Sequence, residues 1–355
     1  MQHPNPIRKQ NILKVLVIQT AFVGDVVLST PLFEAARKLL GADYIGAVVR
    51  PETSDLLCNS PYVDEIIAYD KTKEQKGLLD LLRLGQRLRK SSYDIALIPH
   101  RSFRSALLGY LANIPIRVGF DQNTGRFLLT DRIPYRAIHE VDRNLSLLAF
   151  SSLDTTGIQP RLYPDDQDRK KAEALAQEFG LTSTEKICGI SPCSVWATKR
   201  WLPKRYSEVI RRFTEEFGCR TVLFGSANDR SLCDDIAAMS GVDPLNSAGK
   251  LSLLQSAALA DRCNAFVSND TGMGHIAAAM NTPVVAIFGP TVPAMGFTPH
   301  GIGHRIVETN MDCRPCSSHG GEQCPINTHD CMRSVTVDQV MDILAVRFAQ
   351  PKHQQ

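Results

Sequence analysis

The sequence predicts an α/β protein built from two doubly wound, Rossmann-like domains in tandem, with a cleft between them. Short apolar runs alternate with amphipathic helical stretches between residues 12 and 120, and the same alternation starts again at Ile187. The chain has 355 residues, which is long for one hydrophobic core and comfortable for two. A polar, proline-bearing stretch at 158–169 separates the two alternations.

These observations divide the chain into four parts. The expected N-terminal domain, linker, C-terminal domain and terminal helix with tail are residues 1–160, 161–170, 171–335 and 336–355. The terminal helix, predicted at 337–348, could pack back on the N-terminal domain. An Asp-x-Asp pattern at 166–168 lies in the predicted linker and is interpreted as solvated rather than metal-binding.

Composition and charge exclude two classes of protein. With 43% hydrophobic and 22% charged residues, the chain is not intrinsically disordered. A net charge of +3 is too small to indicate nucleic-acid binding. The first apolar run, ILKVLVI at 12–18, is too short for a membrane span and does not resemble a secretion signal. We therefore expect a cytoplasmic protein whose contact with a membrane would be peripheral.

The predicted strands follow the alternation in order. The first is the buried run at 12–18, which leads through a turn into an amphipathic helix ending near Leu40. Further strands of the first domain are expected at 44–49, 65–69, 95–99 and 117–120, and a helix at 139–155. Strands of the second domain are expected at 187–191, 221–226, 265–269 and 284–289, with a short one near 242–245.

Residues 265–291 carry the strongest local signal of a binding site. An apolar strand enters the polar turn SNDTG, and a small-residue helix and a second apolar strand follow. Open α/β sheets bind ligands at the carboxyl ends of their strands. Asp270 and Thr271 can cap the helix, and Gly272 lets a ligand approach the backbone, whose free N–H groups suit a phosphate or a sugar hydroxyl. His275 faces the same way one turn later. The alternative is a well-capped crossover helix that binds nothing.

Gly24 and Asp25 follow the first strand. Gly24 permits a tight turn, and Asp25 lies at or near the start of the next helix. Asp25 is then either an N-cap or a carboxylate that faces the cleft as a general base, and its position in the sequence favours the cap.

The loop at 191–201, SPCSVWATKRW, follows a strand of the second domain. Its hydroxyl groups and the cations Lys199 and Arg200 could enclose a diphosphate, although the spacing is not that of a Walker loop. The alternative is an exposed basic pair before a helix.

A group of arginines in the first domain could bind an anionic partner. Arg101, Arg104 and Arg117 are expected around the carboxyl ends of two strands, with His100 and Ser102 as further donors. The alternative is that these arginines are solvated on a helix face.

Four of the ten cysteines are clustered, at Cys313, Cys316, Cys324 and Cys331. In a cytosolic chain this cluster favours a structural metal over disulfides. The spacing does not distinguish zinc from iron, and reduced or redox-labile thiols remain an alternative.

Six segments, taken in order, resemble the bacterial lipopolysaccharide heptosyltransferases of glycosyltransferase family 9. They are VGDVVLSTP (23–31), PHRSFRSAL (99–107), ATKRW (197–201), VLFGSANDR (222–230), NSAGKLSL (246–253) and SNDTGMGHIAAAMNTPVVAIFGPT (268–291). They cover both predicted domains, and the ordered set is more specific than any one of them. The hexapeptide at 102–107 favours the heptosyltransferase II type over type I.

The resemblance implies a GT-B fold, with the acceptor on the N-terminal domain and the nucleotide sugar on the C-terminal domain. It implies inverting transfer of L-glycero-D-manno-heptose from ADP-heptose to heptosyl-Kdo2-lipid A, at the inner face of the inner membrane. A type I enzyme, a family member with another donor or acceptor, and a non-catalytic nucleotide- or metal-binding protein are the alternatives.

The resemblance also implies roles for individual residues. Asp25 would be the catalytic base. The donor-binding residues would be Ser194, Lys199, Arg200, Gly225, Ser226, Asp270, Thr271, Gly272 and His275. The acceptor-binding residues would be Gly24, Arg101, Ser102, Arg104 and Arg117. Catalysis would need no cofactor, and the cysteine cluster, which lies outside the family's general motifs, could hold structural zinc or iron.

Overall fold

The computed structural model describes residues 12–71, 77–182 and 184–349, so the expected tail after residue 349 lies outside the described residues. The chain forms two compact units. Of the described residues, the first contains those within Ser29–Arg136, Asp142–Ile158 and up to Phe22. The second contains Val23–Leu28, Ala137–Val141 and the described residues from Gln159 onward. Segments 23–28 and 137–141, which were expected in the N-terminal domain, therefore group with the second unit.

The N-terminal part of the chain builds a parallel sheet. Its strands are β1 (Lys14–Gln19), β2 (Tyr44–Val49), β3 (Glu65–Ala68), β4 (Ile95–Ile98), β5 (Ile116–Phe120) and β6 (Asp131–Ile133). Its helices are α1 (Val23–Lys38), α2 (Leu78–Ser91), α3 (Phe103–Leu111) and α4 (Glu140–Leu145). The strand order is β3-β2-β1-β4-β5-β6. The central strands β1 and β4 carry the continuous apolar runs VLVI and IALI because helices cover both faces of a parallel sheet.

The C-terminal part of the chain repeats this architecture. Its strands are β7 (Ile187–Ser191), β8 (Arg220–Leu223), β9 (Leu245–Asn246), β10 (Ala265–Asn269), β11 (Val284–Phe288) and β12 (Arg305–Glu308). Its helices are α5 (Asp166–Glu178), α6 (Pro203–Phe217), α7 (Arg230–Ser240), α8 (Leu253–Asp261), α9 (Gly272–Ala279), α10 (Asp330–Arg333) and α11 (Val337–Ala349). The order is β12-β11-β10-β7-β8-β9. Each half is thus a doubly wound sheet, which confirms the predicted fold class.

The strand order of the second sheet determines where its ligand site lies. The direction of winding reverses between β7 and β10, which pair in parallel from Ala265 with Cys188 to Ser268 with Ser191. The loops after these two strands therefore leave the sheet side by side at its carboxyl edge. This reversal point is where doubly wound sheets bind ligands.

Elements α5, β6 and β12 differ from the sequence-based expectation. Helix α5 starts at Asp166, inside the predicted linker, because Asp165 and Asp168 form a capping box in which each carboxylate accepts a backbone N–H of the other residue. The edge strands β6 and β12 were not expected, since both are short and polar. No helix in the described part of the chain combines the length and apolar character needed to cross a membrane.

The terminal helix packs within the second unit. The ring of Phe348 on α11 lies edge-on to Phe213 of α6, with ring centroids 4.6 Å apart. Lys186 Nζ, just before β7, donates to the carbonyl of Phe348 at 3.2 Å. The expectation that this helix packs on the N-terminal domain is therefore corrected, because its apolar face covers α6.

Candidate active site

Asn269, the last residue of β10, joins the two loops that leave the carboxyl edge of the second sheet. Its Nδ2 donates to the carbonyl of Pro192 at 2.8 Å, and its Oδ1 accepts from Trp201 N and Tyr206 Oη at 3.0 and 2.9 Å. The side chain is buried, and its amide is satisfied from both sides. The loop after β7 is therefore fixed against the end of β10.

Lys199 and Asp270 meet across these two loops. Lys199 Nζ lies 2.6 Å from Asp270 Oδ2, and only 12% and 7% of the two side chains are exposed. Thr291, after β11, donates its hydroxyl to the same carboxylate oxygen at 2.7 Å. Two of the residues expected at the donor site are thus brought together as a buried ion pair. The sequence analysis missed Thr291. Its position just after β11, which pairs in parallel with β10, could have indicated it, because the ends of the two strands meet at the same edge.

Helix α9 starts directly after this ion pair, because Asp270 precedes its N-cap residue Thr271. Thr271 occupies the N-cap position, but its side chain makes no capping hydrogen bond in the described structure. Its hydroxyl lies 3.3 Å from Ser268 Oγ instead, and the Asp270 carboxylate is engaged by Lys199. The predicted caps are therefore not made. The first turn of α9, from Gly272, keeps the N–H groups and the positive helix end that bind anions.

His275 lies one turn into α9 and is 5% exposed. Burial lowers its pKa to about 4, against a smaller raising effect from Asp270. Its ring is therefore neutral near pH 7. Its buried Nδ1 has no hydrogen-bond partner among the described residues, which makes this ring nitrogen available to a ligand or a water.

Asp25 lies in the first turn of α1, which starts at Val23. It does not occupy the N-cap, so the capping interpretation is corrected. This turn belongs to the second unit and packs on the start of α9. A Cβ at Gly24 would lie 2.9 Å from His275 Cδ2 and 3.7 Å from the Cα of Gly272. Because residue 24 is a glycine, the turn that carries Asp25 can pack closely against the first turn of α9.

The remaining predicted donor residues are engaged in the loops themselves. Ser194 Oγ accepts from Trp196 N at 3.3 Å, and Arg200 Nε donates to the Ser194 carbonyl at 2.8 Å. Ser226 donates its hydroxyl to Asp229 Oδ2 at 2.5 Å. A Cβ at Gly225, which precedes it, would lie 2.9 Å from Asp229 Cβ. These residues shape the edge of the site through loop structure.

The arginines of the first unit do not form one cluster. Arg101 and Ser102 follow β4 at the carboxyl edge, where Arg101 stacks on Tyr135 with its guanidinium carbon 4.2 Å from the ring centroid. Arg104, on α3, donates to Tyr69 Oη at 3.1 Å. Arg117 instead lies near the amino end of β5 and donates to the carbonyl of Leu128 at 2.7 Å. The prediction that Arg117 lies at the carboxyl edge is wrong, and its guanidinium group donates to backbone carbonyl groups instead.

His100, after β4, is partly buried and packs against hydroxyl groups. Its Nδ1 lies 3.0 Å from Thr20 Oγ1 and 3.2 Å from Ser105 Oγ. Burial, with Lys71 and Arg101 nearby, lowers its pKa to about 3. The ring is therefore neutral, and it adds hydrogen-bonding capacity but no charge to this edge.

The four clustered cysteines all carry free thiols. Cys316, Cys324 and Cys331 line one cavity of about 60 Å³, which also contacts Thr198 and His329. Burial and the neighbouring thiol of Cys316 raise the pKa of Cys331 to about 11. Within the described ranges, however, no three histidine, cysteine or acidic side chains are placed so that they could hold a metal ion.

Comparisons with known proteins agree on one family. The sequence profile of glycosyltransferase family 9 (heptosyltransferase) matches residues 81–328. Lipopolysaccharide heptosyltransferase 2 of Salmonella typhimurium is 31% identical over 303 residues, which cover 81% of this chain and 85% of that protein.

Two solved structures share the fold over nearly the whole chain. A glycosyl transferase of family 9 from Veillonella parvula has a TM-score of 0.86 and 22% identity, and covers 97% of this chain and 99% of its own. The ADP-heptose LPS heptosyltransferase II of E. coli has a TM-score of 0.75 and 27% identity, and covers 95% and 99%.

Proposed function

Because the chain belongs to glycosyltransferase family 9, we propose that it is a lipopolysaccharide heptosyltransferase that takes ADP-heptose as its donor. The protein is a glycosyltransferase of the GT-B class, and its relatives favour the heptosyltransferase II type. The observation that carries the proposal is the Lys199–Asp270 pair beside the start of α9. This arrangement offers a cation and free N–H groups to a diphosphate.

The donor diphosphate would bind at the start of α9. Lys199 would turn its ammonium group from Asp270 toward the phosphate oxygens, while Thr291 would keep a hydrogen bond to the Asp270 carboxylate. Negative charge grows on the diphosphate as it leaves the sugar. The ammonium group and the helix end therefore stabilise the transition state more than the ground state.

The acceptor hydroxyl would be activated by Asp25. The Asp25 carboxylate would take the proton as that oxygen attacks the anomeric carbon from the face opposite ADP, and the configuration at that carbon would invert. General-base help of this kind contributes about 10²–10⁴-fold. The neutral ring of His275, which packs on Gly24, would not compete as a proton acceptor near pH 7, since its pKa is about 4.

We propose that the transfer needs no metal, because Lys199 and the helix end supply the positive charge. We also propose a structural zinc or iron ion at the cysteine cluster. Cys316, Cys324 and Cys331 line one cavity, although their thiols would have to turn to coordinate an ion. Metal analysis of the purified protein and of Cys316→Ser tests this. Loss of the ion with retained transfer would assign it a structural role, and native protein without zinc or iron would refute the proposal.

The acceptor would be the heptosyl-Kdo2-lipid A inner core, whose carboxylates and phosphates suit Arg101 and Arg104 at the carboxyl edge of the first sheet.

Peripheral contact with the inner membrane would use α2. Its first residues, Leu78 and Leu79, are 63% and 67% exposed. Its exposed cations are Arg89 and Lys90, together with Arg83 and Arg87, which pair with Asp80 and Glu65. An apolar end beside a basic face is typical of binding to anionic bilayers. Sedimentation with anionic and neutral vesicles, compared with Leu78→Ser/Leu79→Ser, measures this contact.

A transfer assay with purified protein tests the function itself. ADP-heptose is supplied with Kdo2-lipid A or with its monoheptosylated form, and the products are identified by mass spectrometry. Transfer to the monoheptosylated acceptor is expected. Transfer to Kdo2-lipid A alone would assign the type I activity, and no transfer to either would exclude both.

A further inference from the structure

Thr198, the residue before Lys199, is held by a distant part of the chain, the cysteine segment 313–331. Its N–H and its hydroxyl both donate to the carbonyl of Gly321, at 3.0 and 2.9 Å. The hydroxyl also accepts from the Gly321 N–H at 2.8 Å, and His329 Nε2 lies 2.7 Å from the Thr198 carbonyl. Thr198 is 5% exposed. Both its backbone and its side chain are therefore fixed by the cysteine segment.

The same segment contacts the stem of Lys199. Gly320 has a φ of +91°, in the region that favours glycine, and a Cβ there would lie 3.1 Å from Lys199 Cγ and 3.0 Å from Trp196 Cβ. The backbone of the segment thus packs directly on the loop that carries the lysine.

The cysteine segment also holds the partner of Lys199 through Thr291. Arg314 donates to the Thr291 carbonyl at 2.9 Å and to Glu308 at 2.7 Å, and Cys316 N donates to the Pro290 carbonyl at 2.9 Å. Thr291 in turn donates its hydroxyl to Asp270 Oδ2 at 2.7 Å. One segment therefore fixes both sides of the Lys199–Asp270 pair.

We propose that Thr198 is a positioning residue, through which the cysteine segment orients Lys199 toward the donor diphosphate. The inference rests on the proposed donor role of Lys199. A lysine on a loose loop loses rotamer and backbone entropy when it binds an anion. A lysine whose neighbours are already fixed loses less. The hydroxyl of Thr198 thus acts on donor affinity without touching the donor.

A double-mutant cycle tests this coupling, with ADP as the titrant in calorimetry. The variants are Thr198→Val, Lys199→Met and the double variant, each also checked by thermal unfolding. Thr198→Val should weaken ADP binding about tenfold, the upper end of what the loss of one neutral hydrogen bond contributes. In the Lys199→Met background the same change should have little effect, because the residue through which Thr198 acts is absent.

Two controls separate positioning from folding. Thr198→Ser keeps the hydroxyl and should restore affinity. Thr282→Val removes an equally buried hydroxyl, which donates to the Ala260 carbonyl at 2.8 Å at the opposite edge of the sheet, and should leave ADP affinity unchanged.

The outcomes distinguish the inference from the proposed function. If Lys199→Met binds ADP normally, the donor role of Lys199 is wrong and the inference with it. If Lys199→Met weakens binding but Thr198→Val does not, or weakens it equally in both backgrounds, only the positioning role is overturned.

Discussion

Removal of Lys199 separates the contribution of the ion pair to stability from its contribution to binding. In Lys199→Met the Asp270 carboxylate, 7% exposed, loses a cation at 2.6 Å and keeps the Thr291 hydroxyl at 2.7 Å. Removing one partner of a buried pair costs about 3–5 kcal/mol. Because Thr291 remains, we expect about 3 kcal/mol, the low end of that range.

Neutralising the remaining partner should reverse most of this loss. In Lys199→Met/Asp270→Asn no unpaired charge is buried, so the unfolding free energy should recover by about 2 kcal/mol over the single variant. ADP affinity should stay weak in both, since the ammonium group is absent. Urea unfolding and ADP calorimetry on the same samples measure the two effects. If the double variant is no more stable than Lys199→Met, or if it binds ADP as the native protein does, the reasoning is refuted.

Three further predictions concern Asp25, Gly24 and His275, which lie around this pair. Asp25→Asn should lower kcat about 10²–10⁴-fold while ADP-heptose still binds, and near-normal turnover would rule out Asp25 as the base. Gly24→Ala would place a methyl group 2.9 Å from His275 Cδ2, so kcat should fall, and Gly24→Ala/His275→Ala should recover part of the loss if that contact is the cause. His275 has a pKa of about 4 when folded, below the unfolded value of about 6.5. The unfolded chain therefore binds a proton that the folded one does not, and stability should fall by on the order of 2–3 kcal/mol as pH falls from 6.5 to 4. His275→Gln should flatten that part of the unfolding curve, and an unchanged slope would contradict the burial argument.

The sheets and the donor loops could be predicted from the sequence because both depend on local pattern. Alternating apolar runs predicted most of the strands, and the carboxyl ends of parallel strands had to bring Lys199 and Asp270 to one edge. Arg117 shows the limit of this reasoning. It lies at the start of its strand, and a shift of a few residues in the assumed strand end moves a side chain to the opposite edge of a sheet.

Contacts between distant residues could not be predicted from the sequence. Thr198 and Gly321 are 123 residues apart, and no periodicity links them. Helix α5 was missed because its first turn is polar and follows a proline, although Asp165 and Asp168 carried a capping box. The chemistry of the cysteine cluster also stayed open, since spacing alone does not determine how four thiols are arranged in space.

A crystal structure with ADP bound tests the central claim most directly. The account predicts the diphosphate at the start of α9, with an oxygen within hydrogen-bond distance of Lys199 Nζ and of the backbone N–H groups from Gly272 onward. A diphosphate bound elsewhere, with Lys199 still paired to Asp270, would contradict it.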